Sequence, residues 1–156
     1  PEANAMTSMT KIRVSHDDFD VSEEIAALER EGRNAGAVVT FTGVVRSDDG
    51  VTAMHLEHYP EMTEKSLAQI VEKARARWNI EDVVIIHRVG ELKAGDRIVL
   101  TVVTSAHRRE AFEASEFIMD WLKTEAPFWK KEVTAQGGRW VDARESDEIA
   151  KNRWGK

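Results

Sequence analysis

The chain contains no cysteine among its 156 residues. This absence excludes disulfide bridges, thiolate metal sites and cysteine nucleophiles. Any sulfur chemistry at this protein must therefore use sulfur that another molecule delivers. A chain without cysteine is also compatible with the reducing cytoplasm, where we expect the protein to act.

The sequence also lacks any apolar run long enough to span a membrane and any signal-peptide pattern. Its net charge of -6 argues against a general nucleic-acid binder, whose surface would be broadly basic. With 42% hydrophobic residues the chain can form one domain with a proper core. We predict that residues 1–10 are an expression remnant or a disordered N-terminus, and that residues 11–156 form the single domain.

No internal repeat and no glycine-rich phosphate loop is present, so any anion must be bound by other means. The densest chemistry lies in residues 123–132, where three lysines and two aromatic residues surround Pro127. The proline must end the preceding helix, and Lys123 in the last helical turn would compensate the helix dipole. Lys130 and Lys131 follow the proline, so compensation of the helix dipole does not explain them. The segment is either a solvated basic corner or a pocket for anion binding or amine catalysis.

Residues 36–46 are rich in β-branched side chains and predict a strand, with Phe41 on one face. Gly43 within it indicates a bulge or a close backbone approach. Arg46 follows at the end of this strand, where its side chain is either solvated or directed into a site. Residues 51–58 predict the returning strand.

Residues 104–109 mark a junction between a strand and a helix, with Ser105 as the candidate N-cap. His107 and Arg108 beside the free N–H groups of this helix could seat a phosphate, or they could be solvent-facing residues of the first turn. The inward side of the helix is predicted from the spacing of its apolar and small residues, which are Ala111, Phe112, Ser115, Met119 and Leu122.

The remaining pattern mixes helices and strands. Asp20 is placed to cap a helix that stops at Gly32, and a second helix begins near Met62. Strands are predicted at 12–14, 83–89 and 97–104, the last of them central, and a hairpin at 131–143. His87 is expected to pack or to form a hydrogen bond at a strand end. His55 and His58 fall on opposite faces of one strand, so we predict no metal pair there.

Six motifs in order resemble the family of large, catalytic subunits of molybdopterin synthase. The segment with Ala-Pro-Phe-Trp between two lysines is the most specific of them, and the likeness extends from about Lys11 over nearly the whole chain. The motifs are FTGVVR at 41–46, LEHYP at 56–60, HRVGEL at 87–92, TSAHR at 104–108, KTEAPFWK at 123–130 and RWVDAR at 139–144.

The resemblance implies an α+β fold of the α/β-hammerhead type with an additional antiparallel β subdomain. It implies a homodimer that binds two small, ubiquitin-like sulfur carriers, giving a heterotetramer. The implied reaction is a sulfur transfer without a cofactor or metal. Sulfur passes from the C-terminal glycine thiocarboxylate of the carrier to cyclic pyranopterin monophosphate, twice, to form the dithiolene of molybdopterin. The alternative is a non-catalytic anion-binding or scaffold module for a phosphorylated ligand.

The resemblance also implies the residues of the site. Lys123 and Lys130 are expected to be the catalytic lysines, while Arg46, His107 and Arg108 hold the pterin or its phosphate. Other family members often carry a polar or basic residue where this chain has Val44, so only its backbone could contribute. The remaining expected substrate contacts are Phe41, Val45, Lys131, Glu132 and Arg144, the last of which could reach the site of the other protomer.

Overall fold

The computed structural model describes residues 8–47, 50–134, 137–141, 149, 151, 152, 154 and 155. Within these residues, three long helices and eight strands follow one another. The helices are α1 (Val21–Arg30), α2 (Met62–Arg77) and α3 (Arg108–Glu125). The strands are β1 (Thr10–Ser15), β2 (Ala37–Val44), β3 (Ala53–His58), β4 (Ile80–Arg88), β5 (Gly90–Lys93), β6 (Arg97–Ser105), β7 (Phe128–Thr134) and β8 (Gly137–Val141).

The strands form two four-stranded sheets, which makes the fold α+β as the resemblance implies. The first sheet has the order β1-β4-β6-β2, and only its β1–β4 pair is parallel. The second sheet has the order β5-β3-β7-β8 and is antiparallel throughout. The predicted return of residues 51–58 against the β2 segment is wrong, because β3 pairs with β5 and β7 instead.

The first sheet is buried on both faces, which explains why β6 is almost continuously apolar. On one face, Val83, Ile85 and Val99 pack with residues of α2 and α3 and of the second sheet. On the other face, Ile86 and Leu100 pack under Phe19 and Leu28. The central position predicted for the 97–104 strand is confirmed, since β6 lies between β4 and β2.

The predicted helix caps are confirmed for α1 and wrong for α3. The side chain of Asp20 accepts a hydrogen bond from the backbone N–H of Glu23 at 3.0 Å and caps α1, as predicted. The predicted cap of α3 is wrong: His107 is the N-cap residue, and Ser105 donates its hydroxyl to the carbonyl of His107. Phe112 is not on the inward side of α3, since its side chain is 60% exposed.

The N-terminal boundary lies earlier than expected. β1 begins at Thr10, and the backbone N–H of Met9 donates to the carboxylate of Asp82 at 2.9 Å. Asp82 also forms a buried ion pair with Arg33 at 2.8 Å. Residues 9 and 10 are therefore part of the folded domain rather than of a disordered N-terminus.

Candidate active site

The turn after α3 brings the first lysine into the site. α3 ends at Glu125, and Ala126 is extended because it precedes Pro127. Lys123 thus lies in the last helical turn, and β7 begins at Phe128. The proline ends the helix and β7 begins at the next residue, so Lys123 and Lys130 lie on either side of one short turn.

The register of β7 separates its two lysines. Lys130 pairs with Leu56 of β3, whose side chain is buried in the core, so Lys130 and Phe128 share the inner face of the second sheet. Lys131 faces the other way. A Cβ atom at Gly138 would overlap Cε of Lys131, which shows that the lysine stem lies across β8 on the outer face. Of the two, only Lys130 is on the side of the sheet that faces the core.

Glu132 belongs to the inner face with Lys130, because it pairs with Met54. His55 and His58 lie on opposite faces of β3, as predicted. His55 lies 2.5 Å from the carboxylate of Glu57 on the outer face, while His58 is on the inner face opposite Phe128. Within the part of the chain that the structure describes, no group of three or more His, Cys, Asp or Glu side chains could hold a metal ion.

His87 lies beneath the turn that carries Lys123. Its imidazole is only 5% exposed and stacks on the ring of Phe128, with centroids 3.9 Å apart and planes 19° apart. Burial lowers the pKa of His87 from 6.5 to about 4, and the charges of Lys123 and His58 act in the same direction. The imidazole is therefore neutral at pH 7.

One ring nitrogen of His87 lies 2.8 Å from the carbonyl oxygen of Arg88. This nitrogen, Nδ1, must carry the proton, because a carbonyl only accepts hydrogen bonds. His87 thus packs and hydrogen-bonds at a strand end, as predicted. Beside Lys123 it is an uncharged aromatic ring.

The end of β2 carries the FTGVVR motif. A register shift between Gly43 and Val44 confirms the predicted bulge. A Cβ at Gly43 would lie 2.8 Å from Val99 and 3.5 Å from the Phe41 ring, so the ring packs over the glycine. The side chain of Val44 is 46% exposed.

Val45 cannot contact a substrate through its side chain, which is 2% exposed in the core. Its backbone N–H donates to Asp96 and its carbonyl accepts from Gly95, both at 2.9 Å. The expected substrate contact at Val45 stays a prediction, which only its backbone could fulfil. These bonds also fix the position from which the exposed Arg46 leaves the sheet.

Within one chain, the predicted site residues fall into two groups. The end of β2, before Arg46, pairs with the start of β6, and α3 runs back along β6 so that Lys123 returns towards that end. His107 and Arg108 lie at the opposite end of α3. Fifteen residues of helix separate Arg108 from Lys123, which corresponds to about 22 Å at 1.5 Å per residue. The two groups therefore lie at opposite ends of one helix within a single chain.

His107 lines an open cleft of about 440 Å³ between the end of α2 and the start of α3. Arg77, Trp78 and Arg109 also line this cleft, and the indole N–H of Trp78 donates to Glu113 at 3.2 Å. Both His107 and Arg108 are exposed at the positive end of the helix dipole. Arg144 lies outside the described residues.

Comparison with known proteins identifies the family of this chain. Residues 14–125 match the family described as "MoaE protein". The chain belongs to the MoaE family. Among its relatives, the "Molybdopterin synthase catalytic subunit" of Ralstonia nicotianae is 59% identical over 150 residues, covering 94% of this chain and 85% of the relative. The protein of the same description from Escherichia coli is 58% identical over 148 residues, covering 93% and 98% of the two chains.

A solved structure has the same fold. The "Molybdopterin biosynthesis MoaE protein" of Burkholderia ambifaria superposes with a TM-score of 0.83 at 52% identity, and the match covers 95% of this chain and 99% of that one. The sequence signals placed Lys123 in the last turn of a helix and Lys130 beyond Pro127, and the structure confirms both positions. They did not single out His58, whose place on the inner face follows from strand register and not from the sequence around it. No helix in the described ranges combines the length and apolarity needed to cross a membrane.

Proposed function

We propose that this chain is the catalytic subunit of a molybdopterin synthase and transfers sulfur in molybdenum cofactor biosynthesis. The donor is the C-terminal thiocarboxylate of a small carrier subunit, and the acceptor is cyclic pyranopterin monophosphate. Two transfers form the dithiolene. The observation that carries the proposal is the buried, neutral His87, on which the charge of Lys123 acts and whose ring stacks on Phe128, two residues before Lys130 on the same face of β7, in a chain of the MoaE family.

The lysine pair suits both reactants, which are anions. The ammonium groups neutralise the thiocarboxylate as it approaches, and they stabilise the charge that develops when the cyclic phosphate ester opens. One of the two amines also shuttles a proton during the reaction. The uncharged His87–Phe128 stack adds no competing charge beside Lys123. The absence of cysteine is consistent with this role, since the carrier supplies all the sulfur.

The carrier is the partner that this chemistry requires. A thioacid at the end of a flexible tail reacts only when the tail is held in a pocket beside the acceptor. We propose that the tail enters beside Lys123, which is exposed at the end of α3, and that it is guided by the positive charge there. The relatives' description as a "catalytic subunit" supports a second subunit in the assembly. We place this assembly in the cytoplasm.

We further propose that two copies of the chain complete each site, with His107 and Arg108 of one copy facing Lys123 of the other. The separation of about 22 Å along α3 supports this arrangement, because it places the two groups at opposite ends of one helix. Apolar side chains near the His107 end are also exposed, with Val38 48% and Phe112 60% exposed. Such side chains are typical of surfaces that are buried between subunits. Two carriers would then give a heterotetramer.

The test of the activity combines the purified chain, a thiocarboxylated small carrier and cyclic pyranopterin monophosphate. Mass spectrometry should show the dithiolene product and conversion of the carrier to its carboxylate form. A carrier that ends in an ordinary carboxylate is the matched control and should give no product. If the chain binds the pterin but the thiocarboxylated carrier keeps its sulfur, the chain is an anion-binding module and not the enzyme.

The two-copy site is tested by complementation. Lys123→Ala and Arg108→Ala each remove one half of a site, so each variant alone should be nearly inactive at pterin concentrations well below the Kd of the Arg108→Ala variant. When the two variants are mixed and allowed to exchange subunits, a mixed dimer has one intact site, and activity should return to about a quarter of the parental value if exchange is random. No recovery, with exchange proved by mass spectrometry, would show that both groups serve sites within one chain.

A further inference from the structure

The stack of His87 on Phe128 is a contact between the two sheets. Each sheet helps to position one of the two lysines. His87 belongs to β4 of the first sheet, whereas Phe128 is the first residue of β7 in the second sheet. Their rings lie 3.9 Å apart. Lys123 is carried by a helix that packs on the first sheet, and Lys130 is carried by the second sheet. The relative position of the lysines therefore depends on how the sheets meet at this contact.

We propose that His87 is a positioning residue, which holds Lys130 at its working position relative to Lys123 through the stack on Phe128. Phe128 and Lys130 are two residues apart on one strand and project from the same face. The backbone that carries the Phe128 ring is thus the same short stretch of β7 that carries Lys130. This proposal rests on the proposed function of the lysine pair.

Histidine suits this position because it combines a flat ring with a fixed orientation. The Nδ1–H of His87 donates to the Arg88 carbonyl at 2.8 Å, which sets the rotation of the ring that Phe128 contacts. The charged groups that act on the ring from neighbouring elements are Lys123 at the end of α3 and His58 at the end of β3. An uncharged ring allows Lys123 to lie beside it without repulsion.

The test compares three variants in the complete assembly with the thiocarboxylated carrier. His87→Ala removes the stack, and its kcat should fall by roughly tenfold to a hundredfold, as expected for a misplaced catalytic group. Its affinity for the carrier should stay within about twofold, because the carrier does not contact this buried ring. His87→Phe keeps a ring on Phe128, and its kcat should remain within about threefold of the parental value.

Ile86→Ala is the matched control for loss of core packing. Ile86 is the neighbouring residue on β4, fully buried on the opposite face of the first sheet. The variant should lose thermal stability as His87→Ala does, while its kcat stays within about twofold. Equal losses of kcat in Ile86→Ala and His87→Ala would overturn the proposal. So would a His87→Phe variant as slow as His87→Ala.

A second readout does not depend on sulfur transfer. Lysines labelled with ¹³C-methyl groups give NMR signals that report their surroundings, and the signals of Lys123 and Lys130 are assigned by single Lys→Arg variants. Both signals should shift in His87→Ala and stay in place in Ile86→Ala. If the parental assembly transfers no sulfur but these shifts occur, the proposed function fails and the positioning role stands. Unshifted signals in a folded His87→Ala protein would refute the positioning role alone.

Discussion

The buried neutral His87 makes the stability of the fold depend on pH between about 4 and 6.5. In the unfolded chain this imidazole regains its ordinary pKa of 6.5 and takes up a proton below it. In the folded chain, burial and the nearby charges of Lys123 and His58 lower the pKa to about 4. The unfolded state therefore binds more protons in this window, and the free energy of unfolding falls as the pH falls.

The size of the effect follows from the two pKa values. The contribution is complete above pH 6.5, and about 3 kcal/mol of it is lost as the pH falls towards 4, at 1.36 kcal/mol per pH unit. About 2 kcal/mol of this loss falls between pH 7 and pH 5. The lowered carboxyl pKa values of Asp18 and Glu57 also reduce stability in acid, but their ordinary values lie at 3.8 and 4.5, so they act mainly below this interval.

Urea unfolding of the parental chain and of His87→Phe at pH 7 and pH 5 isolates the contribution of His87 to the free energy of unfolding. His87→Phe leaves the Arg88 carbonyl without its donor, so the variant should be less stable at pH 7 by about 1 kcal/mol or more. Between pH 7 and pH 5 it should then lose about 2 kcal/mol less than the parental chain does. All other titrating groups cancel in this comparison. Parallel losses of stability in the two proteins would refute the assignment of His87 as a buried neutral ring.

Four further outcomes are expected. Lys123→Ala should retain the fold by circular dichroism, since an exposed lysine at a helix end contributes little stability, and should lose nearly all turnover; a folded variant with parental turnover would remove Lys123 from the mechanism. Arg108→Ala should weaken pterin binding by about 1.5–3 kcal/mol in calorimetry while carrier affinity stays unchanged, and the reverse pattern would place this helix start against the carrier. Carrier association, followed by stopped flow, should slow as salt shortens the Debye length from ~10 Å at 0.1 M to ~3 Å at 1 M, whereas rates indifferent to salt would exclude steering by the lysines. Gly36→Ala should lower the melting temperature strongly, because its Cβ would overlap the backbone carbonyl of Ala106, and an unchanged melting temperature would contradict the close packing of β2 against that turn.

The parts of the site that sequence reasoning found are those set by local chemistry. A proline cannot continue a helix without disrupting it. The position of Lys123 in the last turn of α3 therefore followed from Pro127 in the sequence. The spacing between Asp20 and Glu23 likewise gave the start of α1. The glycines at 137 and 138 indicated the β7–β8 hairpin, which the register confirms.

The cap of α3 and the outward side chain of Phe112 were errors of local reading, whereas the error in strand pairing arose because distant segments decide it. Strand pairing is non-local, so nothing in residues 51–58 showed that β3 would join a second sheet. The faces of Lys130 and Lys131 depend on that pairing, and adjacent lysines look equivalent in sequence. The separation of Arg108 from Lys123 is different, because it could have been calculated from the predicted helix length alone.

The central claim is that the lysine on the inner face of β7 acts with Lys123, whereas its neighbour on the outer face does not. Single-turnover sulfur transfer from the thiocarboxylated carrier tests it directly, with Lys130→Ala and Lys131→Ala compared under identical conditions. The two variants remove the same charge from adjacent positions of one strand, so effects of net charge cancel. The register predicts that Lys130→Ala slows transfer by roughly a hundredfold or more, and that Lys131→Ala stays within about threefold of the parental rate. Equal rates for the two variants, or a slower rate for Lys131→Ala, would contradict the account.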